Sequence, residues 1–349
     1  MRFYNKIHTH YCGIDLHART MYLCILGSSG EPLLEKNIKC RPEAFLRTIE
    51  PFRENLVVSA ECIFTWYWLA DLCRREKIDF VLGHALYMRL IHGAKAKNDK
   101  LDAMKIAMLL RGGTMPLAYA YPPEMRATRD LLRRRLHLVR KRAELLSHIQ
   151  NTHHQYNLKP PAAKIAYKAN RDGVAEAFTE PDARKSMEVD FLLIEQHDQI
   201  IKDLELHLSR QAKLHDPDTY HRLRSVPGIG KVLALTILYE IHDISRFPRV
   251  QDFVSYSRLV KPEHSSAGKK VGSGGGKKGN AHLKWAFSEA ASLFLRHCDE
   301  GEKMARRLQS KHGKSKGLSI LAAKLGRSVY YMLSHEKSFD LERFLKGNK

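Results

Sequence analysis

Residues 11–27 read YCGIDLHARTMYLCILG: two β-prone runs, Tyr11–Leu16 and Met21–Gly27, with a polar interruption between them. Ser28-Ser29-Gly30-Glu31-Pro32 follows as a turn signal and Leu33–Lys39 reads as a third strand, so the start of the chain predicts an antiparallel meander. Working outward, Arg41–Glu54 has helical spacing, with Phe45, Leu46 and Ile49 on one side. Leu56–Ala60 is a buried-type strand, Thr65–Lys77 an aromatic-rich helix and Ile78–Leu82 another strand. Lys100–Arg111 is strongly helical, with Met104, Ile106, Ala107, Leu109 and Leu110 apolar.

A meander followed by alternating helix and strand is the element order of an RNase H-like fold, one of several α/β folds such a pattern allows. Carboxylates at the element ends favour it over the others. Asp15 falls at the end of the first strand, Glu61 follows LVVSA directly, and Asp99 and Asp102 lie three apart at a helix start, on one face. In an RNase H-like domain the ends of the first and fourth strands and a late helix converge. Four acids there repel unless divalent cations neutralise them, and hard oxygen ligands suit Mg2+. Taken singly, each has a plainer reading: Asp15 a turn acid, Glu61 a neighbour of a helix cap, Asp99 an N-cap, Asp102 a partner of the helix dipole.

Composition narrows the partners. The 349 residues are 44% hydrophobic and carry a formal net charge of +21, so the chain folds around real cores and favours polyanions. No apolar run approaches the roughly 18 residues needed to span a bilayer, and Met1–His10 is polar, without a secretory apolar core. Nucleic acid is therefore preferred over membrane. The scattered cysteines, with no CxxC pair, point away from zinc and disulfides and toward a reducing cytoplasm.

Tyr121-Pro122-Pro123 ends the first domain, taken as 1–120. A helical, coiled-coil region over 121–215 follows. One long helix from Glu124 to about Tyr156 carries a heptad stripe of Leu132, Leu136, Val139, Ala143 and Leu146. A second helix is expected from about Glu188 to Leu214, and the two stripes pair within a chain or between subunits. Arg133, Arg134 and Arg135 belong to a basic surface of the first helix, read either as a nucleic-acid contact or as a solvated face. The mainly α C-terminal domain, 216–349, contains Pro227-Gly228-Ile229-Gly230-Lys231 between two helical patterns. This is a helix-hairpin-helix-like element whose backbone amides would hold phosphate, or else a plain tight turn. Farther on, PEHSSAGKKVGSGGGKKGNAHLKW (Pro262–Trp285) has almost no apolar side chain before Leu283. It is either a flexible loop or a phosphate cradle built from Lys269, Lys270, Lys277, Lys278 and the glycines, with Ser265 and Ser266 available as nucleophiles. Asn280–Arg296 is an amphipathic helix, Gly301–Lys316 a basic exposed segment, and Leu318–Leu333 a final helix.

GIDLHART, Glu61 after LVVSA, KNDKLDA, PGIGKVLALTIL and LVKPEHSSAGKK…GNAHLKWAFSEAA together resemble the D-E-D-D pattern of the RuvC-like insertion-sequence transposases. The group is the one numbered one hundred and ten, with its eleven-eleven subgroup. Asn98 stands where threonine is frequent, and Ala267 where many members have glycine. The resemblance implies a RuvC-like domain whose quartet Asp15, Glu61, Asp99 and Asp102 holds Mg2+. It also implies a C-terminal serine that attacks the phosphodiester and keeps a covalent phosphoserine link during strand exchange. Ser266 takes that place, directly before Ala267-Gly268-Lys269. Further implied are donor and target double-stranded DNA, a structured noncoding bridge RNA as guide, a dimer or tetramer, and action at the bacterial nucleoid in the cytoplasm. The alternatives are a metal-dependent junction endonuclease whose serine segment only binds DNA, and a non-catalytic nucleic-acid scaffold. Tyr256 as nucleophile is a third, in a segment where a core role is commoner.

Overall fold

The structure is a computed structural model that describes residues 2–91, 98–261, 264–266, 268–272 and 278–346. Two positions singled out above, Ala267 and Lys277, lie outside the described residues. The chain divides into two units, Met1–Pro123 and Glu124–Lys349.

The first unit runs β1 (Phe3–Tyr4), β2 (His10–Leu16), β3 (Thr20–Gly27), β4 (Pro32–Lys39), α1 (Pro42–Ile49), β5 (Leu56–Glu61), α2 (Tyr67–Arg75), β6 (Asp79–Gly83), α3 (Ala85–Ile91), α4 (Asp99–Arg111) and β7 (Met115–Pro116). A five-stranded sheet has the order β4-β3-β2-β5-β6. The meander pairs antiparallel, while β5 lies parallel to β2 and β6 parallel to β5. The period of two sorts side chains onto two faces. Cys12, Ile14, Leu16, Met21, Leu23 and Ile25 pack with α1 and α2, through Phe45, Ile49, Leu69 and Leu72. Tyr11, Cys24, Leu26 and Val57 turn the other way, toward Ala103, Ile106, Ala107 and Leu110 of α4. The result is helix, sheet, helix. Spacing alone missed the short β1–β7 pair and α3. Two residues per strand leave too short a pattern to read.

Among its described residues the second unit is mainly helical, with one hairpin: α5 (Pro123–Gln155), α6 (Pro181–His215), α7 (Pro217–Arg224), α8 (Lys231–Ile241), α9 (Val250–Tyr256), β8 (His264–Ser266), β9 (Lys269–Gly272), α10 (Ala281–His297), α11 (Asp299–His312), α12 (Lys314–Ser334) and α13 (Leu341–Lys346). Helix α6 starts seven residues earlier than its apolar stripe suggests, because Pro181 sits in its first turn, where a missing N–H costs nothing. The expected exposed segment at 301–316 is mostly α11 and the start of α12. Gly301 and Ala305 are buried, and a Cβ on Gly301 would lie 2.2 Å from the Phe294 ring.

Helices α5 and α6 pair within the chain. Arg135 meets Glu205, Arg142 meets Asp198 and His148 meets Asp190, an antiparallel register in which one index rises as the other falls. The expected heptad stripe holds only in part: Leu132 and Leu136 are buried, whereas Ala143 is exposed and Ile149 is buried instead. Apolar packing divides between two places. One core joins α5, α6 and α7–α13 around Leu235, Phe253, Phe287 and Leu325. A second, smaller one wraps Ile149, Ile165, Phe178, Met187 and Ile194 at the far end of the α5–α6 pair.

Candidate metal centre and nucleic-acid elements

Register sets two acids of the first unit side by side, and α4 carries the other two. Ile14 of β2 pairs with Ala60 of the parallel strand β5, so Asp15 and Glu61 occupy the next position on each strand. Neighbouring strands are about 4.8 Å apart, which sets the two residues side by side at one end of the sheet. Alternation decides the face. Ile14 and Ala60 belong to the cluster under α1 and α2, so Asp15 and Glu61 belong to the face that α4 covers. Glu61 is the last residue of its strand rather than the first after it.

Gly13 determines how close α4 comes. It lies two positions before Asp15 on the same face, and a Cβ there would sit 2.3 Å from both Ala103 O and Ala107 N. Only a glycine admits helix backbone at that distance. The start of α4 is fixed by Asn98, whose side chain accepts a 2.8 Å hydrogen bond from Leu101 N. The N-cap is thus Asn98, not Asp99, and asparagine and threonine are both good caps. Asp99 opens the helix, and Asp102 follows one turn on, where Lys105 Nζ lies 3.1 Å from Asp102 Oδ1.

His17, which the sequence reading passed over, sits between two of the acids. Its Nε2 is 3.3 Å from Asp15 Oδ2 and 3.4 Å from Asp99 Oδ1. Donor atoms of Asp15, His17 and Asp99 all lie within 4.8 Å of one another. Two hard carboxylates and an imidazole at that separation are a donor set that fits a divalent cation. Asp15 is largely covered, with 20% of its side chain exposed, while Asp99 is half-exposed. The missed signal was positional: a histidine two residues beyond a strand-end acid, at the start of a tight turn.

In the second unit the serine stretch forms the β8–β9 hairpin. Its register sets Ser266 opposite Lys269 and Ser265 opposite Lys270, with Gly268 at φ +75° in the turn. Gly268 is one of the few positions where that conformation requires glycine. The hairpin's neck is closed by Asn280, whose N–H donates to Tyr256 O at 2.6 Å, and by Arg258 Nε donating to Lys278 O at 3.2 Å. Asn280 also caps α10, its Oδ1 accepting from His282 N and Leu283 N at 2.9 and 3.1 Å. Tyr256 is partly buried against Phe247 and Arg246.

Glu240 was also missed. It is a completely buried carboxylate in the apolar helix α8, an acid inside LALTILYEI. Arg133 binds it through two nitrogens at 2.7 and 2.9 Å, Arg129 at 3.1 Å and Asn280 Nδ2 at 2.7 Å. Burial pushes its pKa up, but the hydrogen bond from Arg133 and the charges of Arg129 and Arg133 outweigh this and hold it at about 2. His282 nearby is pushed below its ordinary value, chiefly by burial.

The three consecutive arginines do not share a face, since helical residues step by about 100°. Arg133 turns to Glu240, Arg135 turns to Glu205, and Arg134 is exposed. The turn at Pro227–Gly230 divides as well. Gly228, at φ +85°, is packed so that a Cβ would lie 2.5 Å from Phe294 N. Gly230 is exposed at the N-cap of α8 with open space around it, beside the exposed Lys231.

A carboxylate cluster at the strand ends of an α/β unit, in one chain with a strongly basic helical unit, suits an enzyme that works on nucleic acid. The profile of the DEDD transposases of IS110 type matches residues 12–157, and that of the IS116/IS110/IS902 transposase family matches residues 220–308. The chain belongs to the IS110 family of DEDD insertion-sequence transposases, DNA-breaking and DNA-joining enzymes. Among its relatives is the transposase for insertion sequence element IS1111A of Coxiella burnetii, 24% identical over 94% of this chain and 90% of that protein. A probable family 20 transposase of Pseudomonas aeruginosa is 25% identical over 84% of this chain and 88% of its own length. The IS1328 transposase of Yersinia enterocolitica is 24% identical over 82% of this chain and 84% of its own. Among the described residues no helix is long and apolar enough to cross a membrane.

Proposed function

We propose that the protein cuts and rejoins DNA through a phosphoserine intermediate, with Asp15, Glu61, Asp99 and Asp102 as a Mg2+-holding quartet and Ser266 as nucleophile. The observation that carries the metal part is the register setting Asp15 beside Glu61, on the sheet face covered by the helix that bears Asp99 and Asp102. The sheet order supports reading the first unit as RNase H-like, of the RuvC type. Bound Mg2+ would supply charge neutralisation for a phosphodiester and for the developing oxyanions. The residues' part is to hold that charge at a fixed point: strand ends and a capped helix start do so with little freedom to lose.

In the proposed reaction the Ser266 hydroxyl loses its proton and its oxygen bonds to phosphorus as the bond to one sugar oxygen breaks. That oxygen takes up a proton and leaves as a hydroxyl. A hydroxyl of another strand then attacks the same phosphorus, remakes a phosphodiester and returns the serine. One phosphoester bond is broken for each one formed, so no ATP is consumed. The hairpin register sets each serine opposite a lysine, and the choice of Ser266 rests on its place directly before Ala267-Gly268-Lys269. Gly230 and Lys231 at the open N-terminus of α8, with Lys269, Lys270, Lys278 and Arg134, are proposed to hold phosphates. A structured guide RNA, donor and target duplexes, and a dimer or tetramer complete the reading, which the net charge of +21 supports only in general terms.

The test is denaturing-gel trapping of a protein–DNA adduct. Wild type and Ser265→Ala are expected to form it, and Ser266→Ala is not. An adduct that persists in Ser266→Ala and vanishes in Ser265→Ala reassigns the nucleophile. Metal-dependent cleavage without any adduct favours a junction endonuclease.

A further inference from the structure

His17 is placed with more care than a surface histidine requires. Its N–H donates to Thr20 O at 3.0 Å, closing the turn between β2 and β3. Its carbonyl accepts from Cys40 Sγ at 3.3 Å, and Cys40 N in turn donates to Arg19 O at 2.9 Å. The preceding carbonyl, Leu16 O, accepts from Thr65 Oγ1 at 3.1 Å. The turn is therefore fastened to β4 and to the segment before α2. A single ring nitrogen, Nε2, faces Asp15 and Asp99 together. An ordinary exposed ion pair is weak, which explains neither the convergence of both acids on one atom nor the backbone clamps behind it. A shared ligand position explains both.

We propose that His17 supplies a nitrogen ligand to the cation held by Asp15 and Asp99, making the centre a mixed oxygen–nitrogen site that accepts manganese as well as the magnesium of the reading above, and binds manganese more tightly. This deepens the metal reading above and rests on it. Magnesium favours oxygen donors and keeps its waters, whereas later divalent ions accept imidazole more readily. The imidazole thus adds to the affinity for Mn2+ that the carboxylates alone supply, and adds less for Mg2+.

The experiment uses the full chain, titrated calorimetrically with MnCl2 and separately with MgCl2, and pulsed electron paramagnetic resonance of the manganese-loaded protein. Wild type is expected to bind Mn2+ more tightly than Mg2+ and to show nitrogen modulation on the manganese signal. His17→Ala is expected to lose that modulation and to weaken Mn2+ binding by about tenfold or more, with a smaller change for Mg2+. His17→Gln, polar and seated on the same turn, is expected to lose the modulation as well. Manganese binding that depends on Asp15, shown with Asp15→Asn, but carries no nitrogen modulation overturns the role of His17 and leaves the carboxylate centre standing. No binding by wild type, or binding unchanged in Asp15→Asn, overturns both.

Discussion

Glu240 shows what one side chain can cost and return. A carboxylate with no exposed surface is tolerable only because Arg129 and Arg133 of α5 and Asn280 at the cap of α10 supply charge and hydrogen bonds. Its folded pKa of about 2 lies below the ordinary 4.5, so its contribution is complete above about pH 4.5 and is lost as pH falls toward 2. The span corresponds to something on the order of 3 kcal/mol. Urea unfolding followed from pH 7 to pH 3 is expected to show wild type losing more stability than Glu240→Gln across the acid range. Parallel curves would remove the electrostatic account. Removing a partner instead, with Arg133→Ala, is expected to cost roughly 3–5 kcal/mol at neutral pH by leaving a buried charge half-answered.

At the scale of elements, the proposed metal centre depends on the approach of α4 to β2. Gly13 sets that approach, with Ala103 and Ala107 as the small residues facing it. Gly13→Ala is expected to destabilise the first unit by about 1–3 kcal/mol through overpacking and to shift Asp99 and Asp102 away from Asp15. A lowered melting temperature accompanied by weakened metal binding is the expected pair of results. Unchanged stability would mean that helix and strand part at no cost. The hairpin neck is the corresponding device of the second unit: Asn280 both closes the neck and caps α10, so its position is tied to helix α10 and, through Glu240, to α8 and α5.

At the scale of the molecule, charge is abundant but not all of it is available to a polyanion. Several arginines of α5 hold the second unit together, and the exposed ones are those left to the proposed nucleic-acid contact. Arg134→Ala is therefore expected to lower DNA affinity and to reduce the log–log salt slope by about 1, with little effect on unfolding. Arg135→Ala, which loses Glu205, is expected to act chiefly on stability. Binding isotherms at several salt concentrations, set beside thermal melts, separate the two. Equal slopes for both variants would contradict the division.

Much of the fold was legible because its signals are local. The meander, the β5 and β6 strands, helix α4 and the four acids at element ends follow from periodicity and turn residues, which act over a few positions. The motifs at GIDLHART, KNDKLDA and the serine stretch carried the family resemblance, and with it the proposed chemistry. What spacing could not reveal were contacts between residues far apart in the chain. These include the seat of Glu240 among α5, α8 and Asn280, and the division of three adjacent arginines among three environments. They also include the hairpin in a glycine-rich stretch and the place of His17 between Asp15 and Asp99. Local pattern determines which element a residue joins and which face it takes. Which charge meets which is decided only when the elements pack, because desolvation and pairing energies depend on neighbours that the chain brings together late.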